Sequence, residues 1–181
     1  FVLSGVDEAT AKANIDIVYN LEKRLASKSM TMLEMRDPNS TYHKMNVNGL
    51  QKVSPEINWT AHFQDLELNN PGDFIVCQPD FFAELGKMTK EIPVDSWKVY
   101  LQWQVLRSTS SYLSTAFVNE SFNFFGKTLT GQVAQRPRWK RVLGSTSGAL
   151  SEALGQLYVQ KYFPAESKKR MIDLVTNLRN S

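Results

Sequence analysis

The feature that most constrains this chain is a run of apolar residues at helical spacing through its second half, cut by prolines and small polar residues. From Trp97 onward, Leu101, Val105, Leu106, Tyr112, Leu113, Ala116, Phe117, Phe122 and Phe124 recur mostly at three- and four-residue steps, and Asp95 stands where an N-cap would. This predicts one long helix from Asp95 to about Gly126, buried on most of its faces. After a loop at Gly131-Gln132-Val133, Pro137 opens a second stripe: Trp139, Val142, Ala149, Leu150, Leu154, Leu157, Tyr158 and Phe163. Phe163-Pro164-Ala165 breaks it, and residues 168–179 read as a final amphipathic helix. Both stripes are expected to be core. Gly144, Gly148 and Gly155 each cost about 1 kcal/mol in a helix relative to Ala, so a neighbouring helix is expected to approach closely there.

The first half is less regular. Ala11, Ile15, Val18, Leu21 and Leu25 mark an amphipathic helix between Asp7 and Ser29. Arg36 to Ser40 is turn-rich, Tyr42 to Pro55 reads as a short helix at best, and Asn58 to Leu66 as another. A turn at residues 69–73 precedes a brief apolar run, Phe74 to Cys77, short enough for a strand, and Asp80 to Glu91 is helical with Pro79 at its opening. The fold class expected is mainly α: an irregular multi-helix domain with one or more long helices and at most a very short strand.

With 181 residues, 42% of them hydrophobic, the chain can bury a substantial core as one domain or two small ones. The net charge of +3 is scattered, and the densest basic stretches, Arg136 to Arg141 and Lys168 to Arg170, lie on predicted helices as solvated faces. No nucleic-acid partner is expected. Cys77 is the only cysteine, which excludes an internal disulfide and any Cys-x-x-Cys pair. No apolar run is long enough to span a bilayer, so no membrane contact is expected from this segment.

Catalytic signatures are sparse. His43 and His62 lack a second His or a carboxylate at helical spacing that would pre-form a metal or acid/base site, and H-E-x-x-H does not occur. Gly144-Ser145-Thr146-Ser147-Gly148 interrupts a helical pattern and follows no strand, so it is neither a nucleophile elbow nor a phosphate loop. Sequons at Asn39, Asn58 and Asn119 are close to chance for this many asparagines. No catalytic, cofactor-binding or metal-ligating residue is assigned within the chain.

One long stretch is far more specific. Phe125-Gly126, Leu129-x-Gly131, Arg138-Trp139-Lys140-Arg141, Ala153-Leu154-Gly155-x-Leu157-Tyr158-Val159, Phe163 and Glu166-Ser167-Lys168 occur in that order. Together they closely resemble the helical region of neprilysin-like zinc metallopeptidases, a family that includes endothelin-converting enzyme and bacterial oligopeptidase O. Upstream, Leu21-Glu22-Lys23-x-Leu25-Ala26, Tyr42-His43-Lys44-Met45 and Ile57-Asn58-Trp59 agree more loosely, so the similarity covers nearly the whole chain.

The resemblance implies a parent protein with a catalytic domain whose Zn2+ is held by the two histidines of H-E-x-x-H and a downstream glutamate. A mainly helical domain packs over it and encloses a chamber that admits oligopeptides. Residues 1–181 are expected to be a fragment of that helical, non-catalytic domain, with the zinc domain downstream of residue 181. The fragment alone is then expected to be inactive and to carry no cofactor. Its partners would be the catalytic domain of the same chain and oligopeptide substrates. The parent is expected to be secreted, periplasmic or envelope-attached and bacterial, its signal or anchor lying outside this segment. The alternative is a free-standing helical module that binds a protein or peptide.

Overall fold

A computed structural model describes residues 1–180 of the chain. It is mainly α, with a single two-stranded sheet among the described residues, and it divides into two compact units, residues 1–121 and 122–181. The first helix, α1 (Glu8–Ala26), starts where the carboxylate of Asp7 accepts the backbone N–H of Thr10 at 2.9 Å. It ends with Lys23 and Arg24 in its last turn, cations placed favourably at the negative end of the helix dipole. The short α2 (Pro38–Thr41), β1 (Lys44–Met45), α3 (Val47–Val53) and α4 (Trp59–Asp65) follow. Helices α3 and α4 are capped by Asn46 and Asn58, each taking a backbone N–H at 3.0 Å. Strand β2 (Phe74–Ile75) pairs antiparallel with β1 in the register Lys44↔Ile75 and Met45↔Phe74. Then come α5 (Pro79–Glu91), α6 (Val94–Thr109) and α7 (Thr115–Ser121).

Two apolar clusters hold this first unit together. Leu21 and Leu25 of α1 close over Met88 of α5, which is fully buried, and Phe81, Leu85, Trp97 and Tyr100 pack around them. Leu50, Trp59 and Val76 form the second, walled by Met45, Phe63, Phe74 and Phe82. The two-stranded pairing serves that cluster: it brings Phe74 and Val76 back across the chain onto α3 and α4.

The long helix expected from Asp95 to Gly126 is interrupted. It starts after Pro93 at Val94, not at Asp95, whose carboxylate instead pairs with Lys98 at 2.8 Å inside the first turn. It stops at Thr109, passes through a 3-10 turn (Ser110–Tyr112) and an extended Leu113, and resumes at Thr115. The cause lies in Ser108, Thr109 and Ser110, whose hydroxyls donate back to the carbonyls of Val105 and Arg107 at 2.7–3.1 Å. Such back-bonding competes with the helical ladder. Upstream, the turn-rich Arg36 to Ser40 is partly helical, since Asp37 caps α2 through the N–H of Asn39. Within Tyr42 to Pro55 a strand precedes the short helix.

In the second unit, residues 122–128 wind as a π-helix, and α8 (Arg138–Ala149), α9 (Ser151–Tyr162) and α10 (Ala165–Asn180) follow. The single helix expected between Pro137 and Phe163 is therefore two. Leu150, at φ −111° and ψ 21°, ends one by donating to Thr146 O and begins the next by accepting from Leu154 N. The expected burial of its stripe is corrected as well: Trp139, Val142, Leu150, Leu154, Leu157 and Tyr158 are all exposed, and α8, α9 and α10 contain no buried residue. Nor does anything described lie within 4 Å of a side chain built at Gly144, Gly148 or Gly155, so the close helix neighbour those glycines suggested is not supplied by residues 1–180. In the first unit Leu101, Val105 and Tyr112 are exposed too, while Trp97 is half-buried.

Candidate functional site

A groove of about 520 Å³ lies in the first unit at the mouth of the second apolar cluster. Its walls are aromatic: Trp59, His62 and Phe63 from α4, Phe74 from β2, and Phe81 and Phe82 from α5. Trp59 fixes the geometry, because its indole N–H donates to the carbonyl of Ser54 at 3.1 Å while its ring meets His62 and Phe82 edge-on at 5.7 and 5.6 Å. Cys77 and Gln78 bring polar atoms to the rim, and the amide of Gln78 accepts the N–H of Met30 at 2.7 Å. The groove offers shape and apolar surface, the means of holding a side chain in place.

Behind it, polar groups lock the helices together. Arg24 donates to Glu84 at 2.5 Å and to Glu91 at 2.6 Å, tying α1 to α5. The hydrogen bond from Arg24 holds the Glu84 carboxyl below its usual range and, reciprocally, raises Arg24. Glu22 receives the phenol of Tyr100 at 3.0 Å and the amide of Gln104 at 2.9 Å, tying α1 to α6. Burial, and then the bond to Glu22, push the Tyr100 phenol above its ordinary value. Gly86 lets α5 approach the loop after α3: a methyl group there would lie 2.3 Å from Ser54 Oγ and 2.5 Å from Glu56 Oε2.

These are packing devices. Of the two histidines considered above, His62 faces the aromatic rings of Trp59 and Phe63, and His43 sits beside the sheet, its carbonyl accepting the N–H of Val76 at 3.0 Å. Among the described residues no three His, Cys, Asp or Glu side chains gather as a metal-holding group. The donor set present therefore does not fit a zinc ion, which needs three or four converging ligands. Sequence reasoning named no site residue. It also missed the aromatic groove, whose only sequence signal is the density of Phe and Trp between residues 59 and 82.

All 181 residues match the amino-terminal family model described as peptidase family M13. The chain belongs to that family. Among curated relatives it is 27% identical over 191 residues to neprilysin-3 of Drosophila melanogaster and 24% identical over 184 residues to endothelin-converting enzyme 1 of Homo sapiens. Each match takes in 99% of this chain and 24% of the relative. Among solved structures it is similar to the zinc metalloprotease Zmp1 of Mycobacterium tuberculosis in its open state. That match has a TM-score of 0.83 and 28% identity, and it covers 97% of this chain and 27% of that one. The same enzyme in complex with an inhibitor matches at a TM-score of 0.83 and 29% identity. This M13 chain thus spans about a quarter of the length of the relatives it matches, and it is mainly α, as its sequence predicted. No helix described is long and apolar enough to cross a membrane.

Proposed function

We propose that this chain is a helical, non-catalytic part of a neprilysin-like zinc metalloendopeptidase that cleaves oligopeptides. Its contribution is steric: it walls the chamber in which substrate reaches a zinc held by another part of the same polypeptide. The observation that carries this reading is the end-to-end match to the amino-terminal region of M13 peptidases, over about a quarter of their length. The chemistry described above agrees with it, because a rigid scaffold of packed helices can exclude and orient substrates without itself moving protons. Peptide bond cleavage would belong to H-E-x-x-H and its downstream glutamate outside residues 1–181, where the metal would polarise the carbonyl and activate water. The 181-residue chain alone is then inactive. The parent is read as secreted, periplasmic or envelope-attached in a bacterium.

The test is a length series. The purified parent enzyme should cleave short peptides efficiently, cleave them progressively less well as length increases, and spare folded proteins. Equal cleavage of peptides and of a folded protein would remove the steric role. Peptide hydrolysis by the 181-residue chain alone, undiminished by a zinc chelator, would overturn the assignment of catalysis elsewhere. A stop codon directly after Ser181 would favour the free-standing interaction module instead.

A further inference from the structure

Three of the six methionines, Met30, Met32 and Met35, fall close together in the loop after α1, and none of them serves the core. A methionine side chain ordinarily fills gaps between other apolar groups. Here Met32 is 75% exposed and Met35 46%, while Met30 is half-buried and belongs to neither apolar cluster. Polar bonds, not packing, fix the turn that carries them. Thr31 gives its N–H and its hydroxyl to the Glu34 carboxylate at 2.7 and 2.8 Å. Its hydroxyl accepts the N–H of Glu34 at 3.2 Å, and its carbonyl that of Met35 at 3.0 Å. Met32 and Met35 are three residues apart across this tight turn, a spacing that puts two side chains on one side of it.

One side chain ties the turn to the rim of the aromatic groove. Gln78 accepts the N–H of Met30 at 2.7 Å and donates to Met35 Sδ at 3.9 Å, and its neighbour Cys77 is exposed on the same rim. The bond from Gln78 orients Met35 and leaves a further sulfur lone pair for a ligand. We propose that Met30, Met32, Met35 and Cys77 form a site for a soft monovalent metal ion, copper(I). Thioethers are neutral, polarisable donors that select soft cations, whereas calcium and magnesium sites are built from oxygen and zinc sites from thiolate, imidazole and carboxylate. The ion enters and stays as Cu(I). The thioethers bind it with no change of protonation, and Cys77 releases its thiol proton to solvent as the thiolate becomes a ligand. The inference does not depend on the peptidase reading, since every donor lies within residues 30–77.

A competition titration tests it. The full-length protein, kept anaerobic, should take up Cu(I) from its bicinchoninate complex, and excess zinc should not displace the ion. Met32→Leu with Met35→Leu, near-isosteric changes at exposed positions, should weaken this uptake by about a hundredfold, and Cys77→Ser by about tenfold. Cys77→Ser should also abolish the ultraviolet absorption of a copper–thiolate bond. Unchanged affinity in either variant would overturn the site, as would displacement by zinc, or X-ray absorption showing nitrogen and oxygen in place of sulfur around the copper. A second measurement needs no substitution and so no variant that folds. With methyl-labelled methionine and Ag(I) as a redox-silent stand-in, the methyl signals of Met30, Met32 and Met35 should move together and saturate, while Met45, Met88 and Met171 stay in place. Movement spread evenly over all six would mean general affinity for sulfur and would overturn the proposal.

Discussion

At the scale of single residues, the chain depends on a few contacts with no slack. Gly86 is the clearest. It sits inside α5, where a glycine costs about 1 kcal/mol relative to Ala, yet a Cβ there would drive into the fully buried Ser54 and into Glu56. Ser54 is short, and its own Cβ would be 3.4 Å away, so rotation of the hydroxyl alone cannot admit a branched side chain. Gly86→Val is therefore expected to destabilise the protein toward the upper end of the about 1–3 kcal/mol typical of overpacking. Urea midpoints would read the loss. Gly144→Ala supplies the contrast, because its new methyl meets nothing within 4 Å among the described residues and should raise the midpoint slightly. If both variants fell equally, the Ser54 contact would be the wrong explanation at Gly86.

At the scale of elements, the Arg24 bridge sets the acid response of the α1 and α5 pair. Glu84 titrates below its usual 4.5 in the folded chain, chiefly because Arg24 donates to it. A depressed carboxyl contributes stability that is present above the unfolded value and is lost as pH falls through the folded one. Glu84→Gln should therefore lie below the parent sequence at pH 7, with the gap closing as pH falls below the usual 4.5 and through the depressed folded value. A gap that stayed as wide throughout an acid titration as at pH 7 would refute the linkage. The elements also show what the sequence revealed and what it withheld. The start of α1 at Asp7, the opening of α5 at Pro79 and the short strand at Phe74 were legible because caps, prolines and apolar runs act over a few residues. The breaks at Ser110 and Leu150 were not, because an apolar stripe continues in register across a helix break; the one at Ser110 is decided by hydroxyl back-bonding. Strand β1 escaped notice because its two residues gain their pairing only from β2, some thirty residues later. The groove was equally hidden, since its rings come from three separate elements.

For the molecule as a whole, stability is concentrated in the first unit. Both apolar clusters described lie within residues 1–121, while α8, α9 and α10 contain no buried residue. Hydrogen exchange on the 181-residue chain should accordingly find amides of α1, α5 and α6 protected by orders of magnitude more than those of α9 and α10. Uniform protection would mean that the second unit has a core of its own. The periodicity that made the chain readable as helical also misled on burial, because an apolar stripe has the same spacing whether or not residues 1–180 cover it. The smallness of the sheet has its own consequence. Strands of two residues present too little edge to recruit another chain by backbone pairing, so amyloid-like templating has no starting point there. When this segment associates out of context, it should do so as helices sticking to helices: aggregates that keep their helical circular dichroism and leave fibril dyes dark.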